Sequence, residues 1–321
     1  MGSEEAGRWP ELDPVVARLV RSSAGPPHLH DLGPDDGRLA LSESQGYAMD
    51  DAARFGVAPV GPSGLVGFWT VRAPAGPAAP PVVVYLHGGR WMLGDAHTHA
   101  RLIRDLAAAS GAALVVPEYT RTPEARYPVA VEETSALLAW VVEHAEELGV
   151  DGRRVAVAGD CAGATIATAL AVVTARRGGP RLRAQLLYYP FVDDRCDAAS
   201  HRELGDDYLL TRREALWYWS QYVPDPTDRA APSAVPARAT TTDLASMPPS
   251  LVITAEADVL RDEGERYADR LRAAGVAASA SRYAGTVHDF ASLRPLEGIP
   301  ATRAAVAEGG AFLSAALAVH D

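Results

Sequence analysis

Three residues that are far apart in the chain have side chains that together could transfer an acyl group. Cys161 stands in the segment GDCAG, Asp258 follows the apolar run SLVITA, and His288 lies in the segment GTVHDF. A thiol becomes a strong nucleophile when a neighbouring imidazole takes its proton, and a carboxylate can orient that imidazole. These residue types therefore point to covalent catalysis in which the cysteine carries the acyl group.

Each of the three residues also has an ordinary structural explanation. A cysteine is usually a small buried apolar side chain, and G-x-C-x-G alone is a weak pattern. His288 could be an exposed loop residue, and Asp258 could cap the helix that follows it. The position of all three residues after predicted strands favours the catalytic interpretation.

The segment around Cys161 has the pattern of a strand, a tight turn and a helix. The apolar run 155–158 is bounded by charges and predicts a strand that is buried on both faces. Glycines two residues before and after Cys161 permit a strained turn that lifts one side chain above the sheet, as in the nucleophile elbow G-x-S-x-G. A thiol there lies at a helix N-terminus, where N–H groups and the helix dipole favour a thiolate.

Strands that alternate with helices predict a largely parallel sheet covered by helices on both faces. Sites in such sheets lie beyond the carboxyl ends of the strands, where this chain has HGGRW, GDCAG, EADVLRDEG and GTVHDF. The predicted strands are 67–73, 82–86, 112–117, 155–158, 183–189, 250–255 and 277–283. The predicted helices are 42–55, 97–109, 128–148, the segment after GDCAG, 208–222, 261–274 and 302–319, with a loop over 225–248.

The backbone N–H groups that follow strand 82–86 could bind a negatively charged oxygen. Gly88 and Gly89 permit a turn that directs backbone N–H groups toward a developing oxyanion, and the N–H of Ala162 would complete this oxyanion hole. A simple strand-ending turn is the alternative interpretation.

Composition excludes several classes of function. The 321 residues are 48% hydrophobic and 22% charged, which is ordinary for a globular protein, and the net charge of −11 argues against nucleic acid or an anionic membrane as partner. The two cysteines form neither a disulfide framework nor a zinc pattern. Without a signal-peptide pattern or a run long enough to span a membrane, a cytoplasmic protein is expected.

The motifs together resemble those of the hormone-sensitive-lipase-like family of α/β-hydrolases, which includes bacterial esterases and plant carboxylesterase-like proteins. HGGRWMLGD resembles the family's HGGG segment, PEYTRTPEARYPVAVEE its DYRLAPEHPFPAALED segment, and GDCAGA its GDSAGG segment. EADVLRDEGERYADRL resembles its acid-bearing segment, and VHDF its HGF. The resemblance covers nearly the whole chain, and the order cysteine, aspartate, histidine is the family's order of nucleophile, acid and base.

The resemblance implies an α/β-hydrolase fold, with a mostly parallel central sheet, helices on both faces and a small helical cap. Residues 1–56 and 203–228 are then the cap, and 57–202 with 229–321 the core. It implies a carboxylic ester hydrolase-like enzyme with the triad Cys161, Asp258 and His288 and a small-molecule acyl substrate, with no metal and no organic cofactor. Monomer and homodimer both stay open.

Four residues depart from the family pattern. Cys161 replaces the nucleophilic serine, Arg90 the third glycine of HGGG, Ala164 the last glycine of GDSAGG, and Asp289 the glycine after the catalytic histidine. A thiol beside an imidazole ionises far more readily than a hydroxyl, and a thiolate is also a good leaving group. Attack on an alkyl ester would give a less stable thioester, so the sequence predicts activated acyl substrates such as thioesters, lactones or enol esters.

Candidate substrate-binding residues flank these motifs. Arg90 could bind a substrate carboxylate or phosphate, pair with Asp289, or be solvated. Tryptophans near the site could form a pocket wall or ordinary core. The candidates are Arg90, Trp91, Asp160, Trp217, Val259 and Asp289.

Three other functions are consistent with the sequence. The first is a biosynthetic enzyme on the same scaffold (a cyclase, acyltransferase or lyase) with His288 as base. The second is a non-catalytic binding protein, which retention of the histidine argues against. The third is an ordinary esterase in which serine was changed to Cys161 by engineering.

Overall fold

An eight-stranded sheet runs through the centre of the protein in the order β1-β2-β4-β3-β5-β6-β7-β8. The computed structural model describes residues 10–25, 28–46, 48–50, 52–74, 76–206 and 208–318. The strands are β1 (Arg54–Ala58), β2 (Val66–Val71), β3 (Pro81–Leu86), β4 (Ala113–Pro117), β5 (Asp151–Asp160), β6 (Leu182–Tyr188), β7 (Ser250–Ala257) and β8 (Ala278–Val287).

Helices cover both faces of this sheet. Helices α3 and α10 pack together on one face, whereas α4, α5 and α9 pack on the other. The helices are α1 (Pro14–Ser23), α2 (Pro34–Gln45), α3 (Ala100–Ser110), α4 (Val129–Glu143), α5 (Ala162–Arg177), α6 (Ala199–Glu203), α7 (Arg212–Tyr222), α8 (Thr241–Ala245), α9 (Arg261–Ala273) and α10 (Pro300–Leu317). None of these helices, within the described part of the chain, has the length and hydropathy that crossing a bilayer requires.

The sheet is parallel from β4 to β8, and only β1 and β2 add to it in antiparallel fashion. Every residue of β3 and β4 is buried because helices cover both faces, which explains the continuous apolar sequences PVVVYL and ALVVP. The carboxyl ends of β3, β5, β7 and β8 lie at the same edge. The predicted α/β-hydrolase fold is therefore confirmed.

Two glycines allow α5 to begin directly against the sheet. A Cβ atom on Gly163 would overlap the carbonyl oxygen of Leu86 at the end of β3, and a Cβ on Gly159 would lie 2.6 Å from the carbonyl carbon of Gly163. Residues with side chains would separate the helix from the strand at both points. The glycines around Cys161 thus hold the turn at the carboxyl edge of the sheet.

The predicted helix over 42–55 is wrong. Helix α2 ends at Gln45 because Gly46 adopts the left-handed conformation (φ 55°) and donates its N–H to the carbonyl of Ser42, a usual helix C-cap. Arg54–Ala58 forms strand β1 instead and pairs with β2. The predicted cap boundary at residue 56 consequently falls inside a strand of the sheet.

Helix α7 and the loop that follows it lie close to their predicted positions. The predicted helix 208–222 begins at Arg212, because the Thr211 side chain accepts the N–H of Glu214 and the Glu214 carboxylate accepts the N–H of Thr211. The predicted loop 225–248 contains the short helix α8 and two 3₁₀ turns. The division into cap and core stays a prediction.

Candidate active site

Cys161 occupies a strained turn between β5 and α5. Its backbone has φ 51° and ψ −121°, a conformation that is rare for residues other than glycine. The turn is held by the Cys161 N–H, which donates to the carbonyl of Tyr188 at the end of β6 (3.0 Å). Strain of this kind persists only where the surrounding structure fixes it, and it is common at functional sites.

The three residues of the predicted triad lie together at the carboxyl edge of the sheet. His288 Nε2 is 3.0 Å from Cys161 Sγ, and His288 Nδ1 is 2.8 Å from Asp258 Oδ2. The other carboxylate oxygen of Asp258 accepts the N–H of Leu260 (3.0 Å), which fixes the acid. This is the arrangement of a nucleophile, a base and an orienting acid.

The charges around His288 favour its protonated form. Burial by itself lowers the pKa of His288, but the carboxylates of Asp258 and Asp289 and the sulfur of Cys161 outweigh burial and raise this pKa well above its usual value. A protonated imidazole beside the sulfur is the partner that a thiolate needs. The site is therefore suited to a thiolate–imidazolium pair.

Backbone N–H groups are available near the thiol, but they are not the same three that the sequence predicted for the oxyanion hole. The Gly88 N–H donates to Asp160 Oδ1 (2.9 Å) and is therefore not free for an oxyanion. Among the described residues, nothing accepts the N–H groups of Gly89, Arg90 or Ala162. The Arg90 N–H is a further candidate, which the sequence-based prediction of Gly88, Gly89 and Ala162 missed.

A cavity of about 610 Å³ extends to side chains that lie beside the predicted triad. Residues of α1, α2, α7 and the segment before α7 form its walls, and Arg90 and Asp289 also line it. Cys161 and His288 do not line it and are 0% and 1% exposed. The Cys161 sulfur and the His288 imidazole are thus covered in this structure.

Arg90 and Asp289, two of the departures from the family pattern, meet beside the triad. An Arg90 guanidinium nitrogen lies 3.4 Å from Asp289 Oδ2, and Asp289 Oδ1 lies 3.3 Å from His288 Nε2. Asp289 consequently faces the same imidazole nitrogen as Cys161. Both residues of this pair line the cavity, whereas Cys161 does not.

A family model described as an alpha/beta hydrolase fold matches residues 83–292, which include the whole triad. The chain belongs to this α/β-hydrolase family. This membership and the similarity to esterases confirm the family resemblance seen in the motifs. They also confirm the predicted class of enzyme, a carboxylic ester hydrolase-like α/β-hydrolase. The role of Cys161 as nucleophile stays a proposal.

Named relatives and solved structures agree with this membership. The carboxylesterase NlhH of Mycobacterium tuberculosis (strain ATCC 25618 / H37Rv) is 39% identical over 241 residues, 74% of each chain. The ethyl acetate hydrolase of Pseudomonas putida is 35% identical over 209 residues, 65% of each chain. The structure of a thermostable esterase from Pseudomonas putida ECU1011 superposes over the full length of both chains with a TM-score of 0.92 and 37% identity.

Asp160 anchors the loop after β3 of this α/β-hydrolase and does not line the cavity. The buried carboxylate accepts the hydroxyl of Tyr85 (2.5 Å) and the N–H of Gly88, and it lies 3.3 Å from His99 Nε2. Burial opposes its ionisation, but His99 and these donors outweigh burial and lower the pKa of Asp160. Asp160 therefore positions the HGGR loop.

We expect Asp160→Asn to impair both stability and catalysis. The variant leaves His99 buried without its counter-ion, a change that costs about 3–5 kcal/mol of unfolding free energy, and displacement of the loop should lower kcat/KM roughly 10²-fold. Urea denaturation and steady-state kinetics measure the two effects. The double variant Asp160→Asn/His99→Gln should recover part of the stability, because it leaves no unpaired charge; equal stability of the single variant and the wild type would contradict this role.

The other three substrate-binding candidates lie outside the cavity. Trp91 is buried and stacks on Tyr222, with ring centroids 4.5 Å apart. Trp217 packs edge-on against Tyr218, and Val259 is buried behind the acid of the triad. Trp91 and Trp217 thus pack against other aromatic side chains, as the alternative interpretation of the sequence described.

Three donor atoms at the site have the types and the proximity of zinc ligands. Ligand atoms of Cys161, His288 and Asp289 all lie within 4.8 Å of one another. Thiolate, imidazole and carboxylate all bind zinc. The Arg90 guanidinium beside Asp289 opposes a cation here, so we assign no metal to this set.

Proposed function

We propose that this α/β-hydrolase cleaves carboxylic esters and related acyl compounds through a thioester formed on Cys161. One observation carries the proposal: in a strained elbow at the carboxyl edge of the sheet, the Cys161 sulfur lies 3.0 Å from an imidazole whose other nitrogen lies 2.8 Å from Asp258. The curated relatives, which include a carboxylesterase and an ethyl acetate hydrolase, support the reaction class.

The reaction has two steps. The Cys161 thiolate attacks the substrate carbonyl, and the N–H groups of Gly89, Arg90 and Ala162 stabilise the oxyanion that forms. Collapse of this intermediate breaks the bond to the leaving group, which takes the proton from His288, and leaves an acyl thioester beside a neutral imidazole. His288 then removes a proton from water as the water attacks the thioester, and collapse releases the acid and restores the Cys161 thiolate beside protonated His288.

The thiol favours activated acyl donors. A thioester on Cys161 is less stable than an alkyl ester, so an alkoxide leaving group would attack it and re-form the substrate. Acyl transfer to Cys161 from a thioester, lactone or enol ester has a more favourable equilibrium, because these donors are themselves activated. We therefore propose thioesters, lactones or enol esters as substrates. The cytoplasmic location remains a prediction, and monomer and homodimer both stay open.

The test compares donors that share one acyl group. Purified protein is incubated with S-ethyl thiobutyrate, the enol ester vinyl butyrate and ethyl butyrate, and product formation and intact protein mass are measured. We expect kcat/KM for the thioester to exceed that for ethyl butyrate at least tenfold after correction for the uncatalysed rates, with a butyryl adduct on Cys161. Equal rates for the thioester and ethyl butyrate would contradict the preference, and turnover without any adduct would contradict the covalent step.

Burial of the nucleophile favours a second function on the same site. Because Cys161 and His288 are almost inaccessible to solvent, the acyl group could pass to an alcohol or amine, or cyclise, in place of hydrolysis. Turnover in ¹⁸O-labelled water distinguishes the two functions. Label in the released acid supports hydrolysis, whereas an unlabelled ester, amide or lactone supports acyl transfer.

A further inference from the structure

The strongest unexplained feature outside the triad is the guanidinium of Arg90. Arg90 is 4% exposed, and its side chain makes no hydrogen bond to any described residue. Its contacts are the Asp289 carboxylate at 3.4 Å and the face of the Tyr218 ring at 5.9 Å. Charge-assisted hydrogen bonds are about 2.7–2.9 Å long, so the Asp289 contact is loose. A buried guanidinium has five N–H donors, and here they are largely unused.

This guanidinium also lies where a substrate could reach it. Arg90 lines the cavity of about 610 Å³, whose walls include the apolar side chains of Leu19, Leu41 and Leu209. The backbone N–H of the same residue is one of the three proposed for the oxyanion. A group bound to the Arg90 side chain would therefore lie a short chain length from the carbonyl under attack.

We propose that the cavity binds an acyl donor carrying its own carboxylate, which pairs with Arg90 in place of Asp289. This inference rests on the proposed function and narrows its substrate class to half-esters or half-thioesters of short dicarboxylic acids. A bidentate carboxylate would supply the close acceptors that Asp289 does not.

Charge matching favours a carboxylate over a phosphate. Arg90 is the only Arg or Lys among the described residues that line the cavity, and Asp206, Glu214 and Asp289 also line it. Glu214 is engaged by Thr211 and His30, so Asp289 is the acid closest to the guanidinium. A carboxylate carries the same single negative charge as Asp289 and can take its place beside Arg90. A phosphate would instead bring a charge of about −1.5 to −2 into an acidic cavity.

The first measurement is binding without chemistry. Calorimetry on the whole Cys161→Ala protein compares glutaramate, a monoanion with one carboxylate and one amide, with its neutral analogue glutaramide, and succinamate and adipamate test the chain length. We expect at least one of the three half-amides to bind at least tenfold more tightly than glutaramide. Arg90→Gln in the same background should remove the difference, and Asp289→Asn should strengthen half-amide binding. Equal binding of half-amides and diamide, or no binding of either, would overturn the inference.

The second measurement separates this inference from the proposed function. We measure kcat/KM for S-ethyl monothioglutarate, which carries a carboxylate, and for neutral S-ethyl thiovalerate. We expect Arg90→Gln to lower the ratio of the first value to the second at least tenfold. A purely structural role of Arg90 would lower both rates alike, leave the ratio unchanged and overturn the inference while the proposed function stands. If Arg90→Gln does not fold, protection of wild-type Cys161 from iodoacetamide by glutaramate but not glutaramide gives the same answer. Tight half-amide binding without an adduct from either thioester would instead contradict the proposed function.

Discussion

Replacing Cys161 with alanine should lower kcat/KM for acyl transfer by roughly 10⁴–10⁶-fold, as loss of the nucleophile does in serine hydrolases. Alanine leaves His288, Asp258 and the backbone N–H groups in place. These groups can still stabilise the transition state for direct attack of water on the substrate, and only this weaker catalysis remains. The side chain at this position is fully buried, and the smaller residue should leave the protein folded. Steady-state kinetics on the thiobutyrate and intact mass after incubation measure the effect, and the variant should carry no acyl adduct.

Cys196 provides the matched control for this experiment. It is the other cysteine, it is equally buried, and burial raises the pKa of its thiol well above the usual value. Cys196→Ala should retain wild-type kinetics and the adduct. Loss of the adduct in Cys196→Ala, or its persistence in Cys161→Ala, would contradict the assignment of the nucleophile.

Cys161→Ser tests the preference for activated donors. The hydroxyl should shift selectivity toward oxygen esters, because an ester on serine is no less stable than an alkyl ester substrate. A large gain on p-nitrophenyl esters, with no loss on thioesters, would indicate instead an ordinary esterase whose natural nucleophile is serine.

The second large effect is expected from His288→Gln. Without the imidazole, nothing accepts the proton of Cys161 or supplies a positive charge beside the sulfur, so kcat/KM should fall by about 10⁴-fold. Alkylation of Cys161 by iodoacetamide near pH 7 should slow in parallel. His144→Gln, on a partly exposed histidine at the end of α4, is the control and should change neither rate. Rapid alkylation in His288→Gln would show that the thiolate does not depend on the imidazole.

The same variant should change how stability depends on pH. The folded pKa of His288 is raised above its unfolded value of about 6.5, so its contribution to the free energy of unfolding is complete below about pH 6.5 and is lost as pH rises through the folded value. Urea denaturation across this range should therefore show the largest difference between wild type and His288→Gln in mild acid and a shrinking difference in alkali. A difference that does not vary with pH would contradict the charged imidazole.

Much of the fold could be predicted because its signals are local. The buried runs VVVYL and ALVV could only be strands covered on both faces, and the chemistry-bearing segments follow strands whose carboxyl ends must share one edge. The helix predicted over 42–55 is wrong because Gly46 ends α2 in the left-handed conformation and Arg54–Ala58 pairs with β2 as a strand. The position of Asp160 beneath the loop could not be predicted, since it depends on Tyr85 and on His99, which comes to it from another part of the fold.

By itself, the sequence determined which side chains could react and in what order they follow the strands, because short patterns of hydrophobicity and glycine set where each strand ends. Tertiary packing is what shows that Asp160 accepts the Gly88 N–H, that no described residue accepts the Arg90 N–H, and that Arg90 lies beside Asp289 at the wall of the cavity. Those contacts join residues brought together by packing of distant elements, and no local pattern encodes the distance between them.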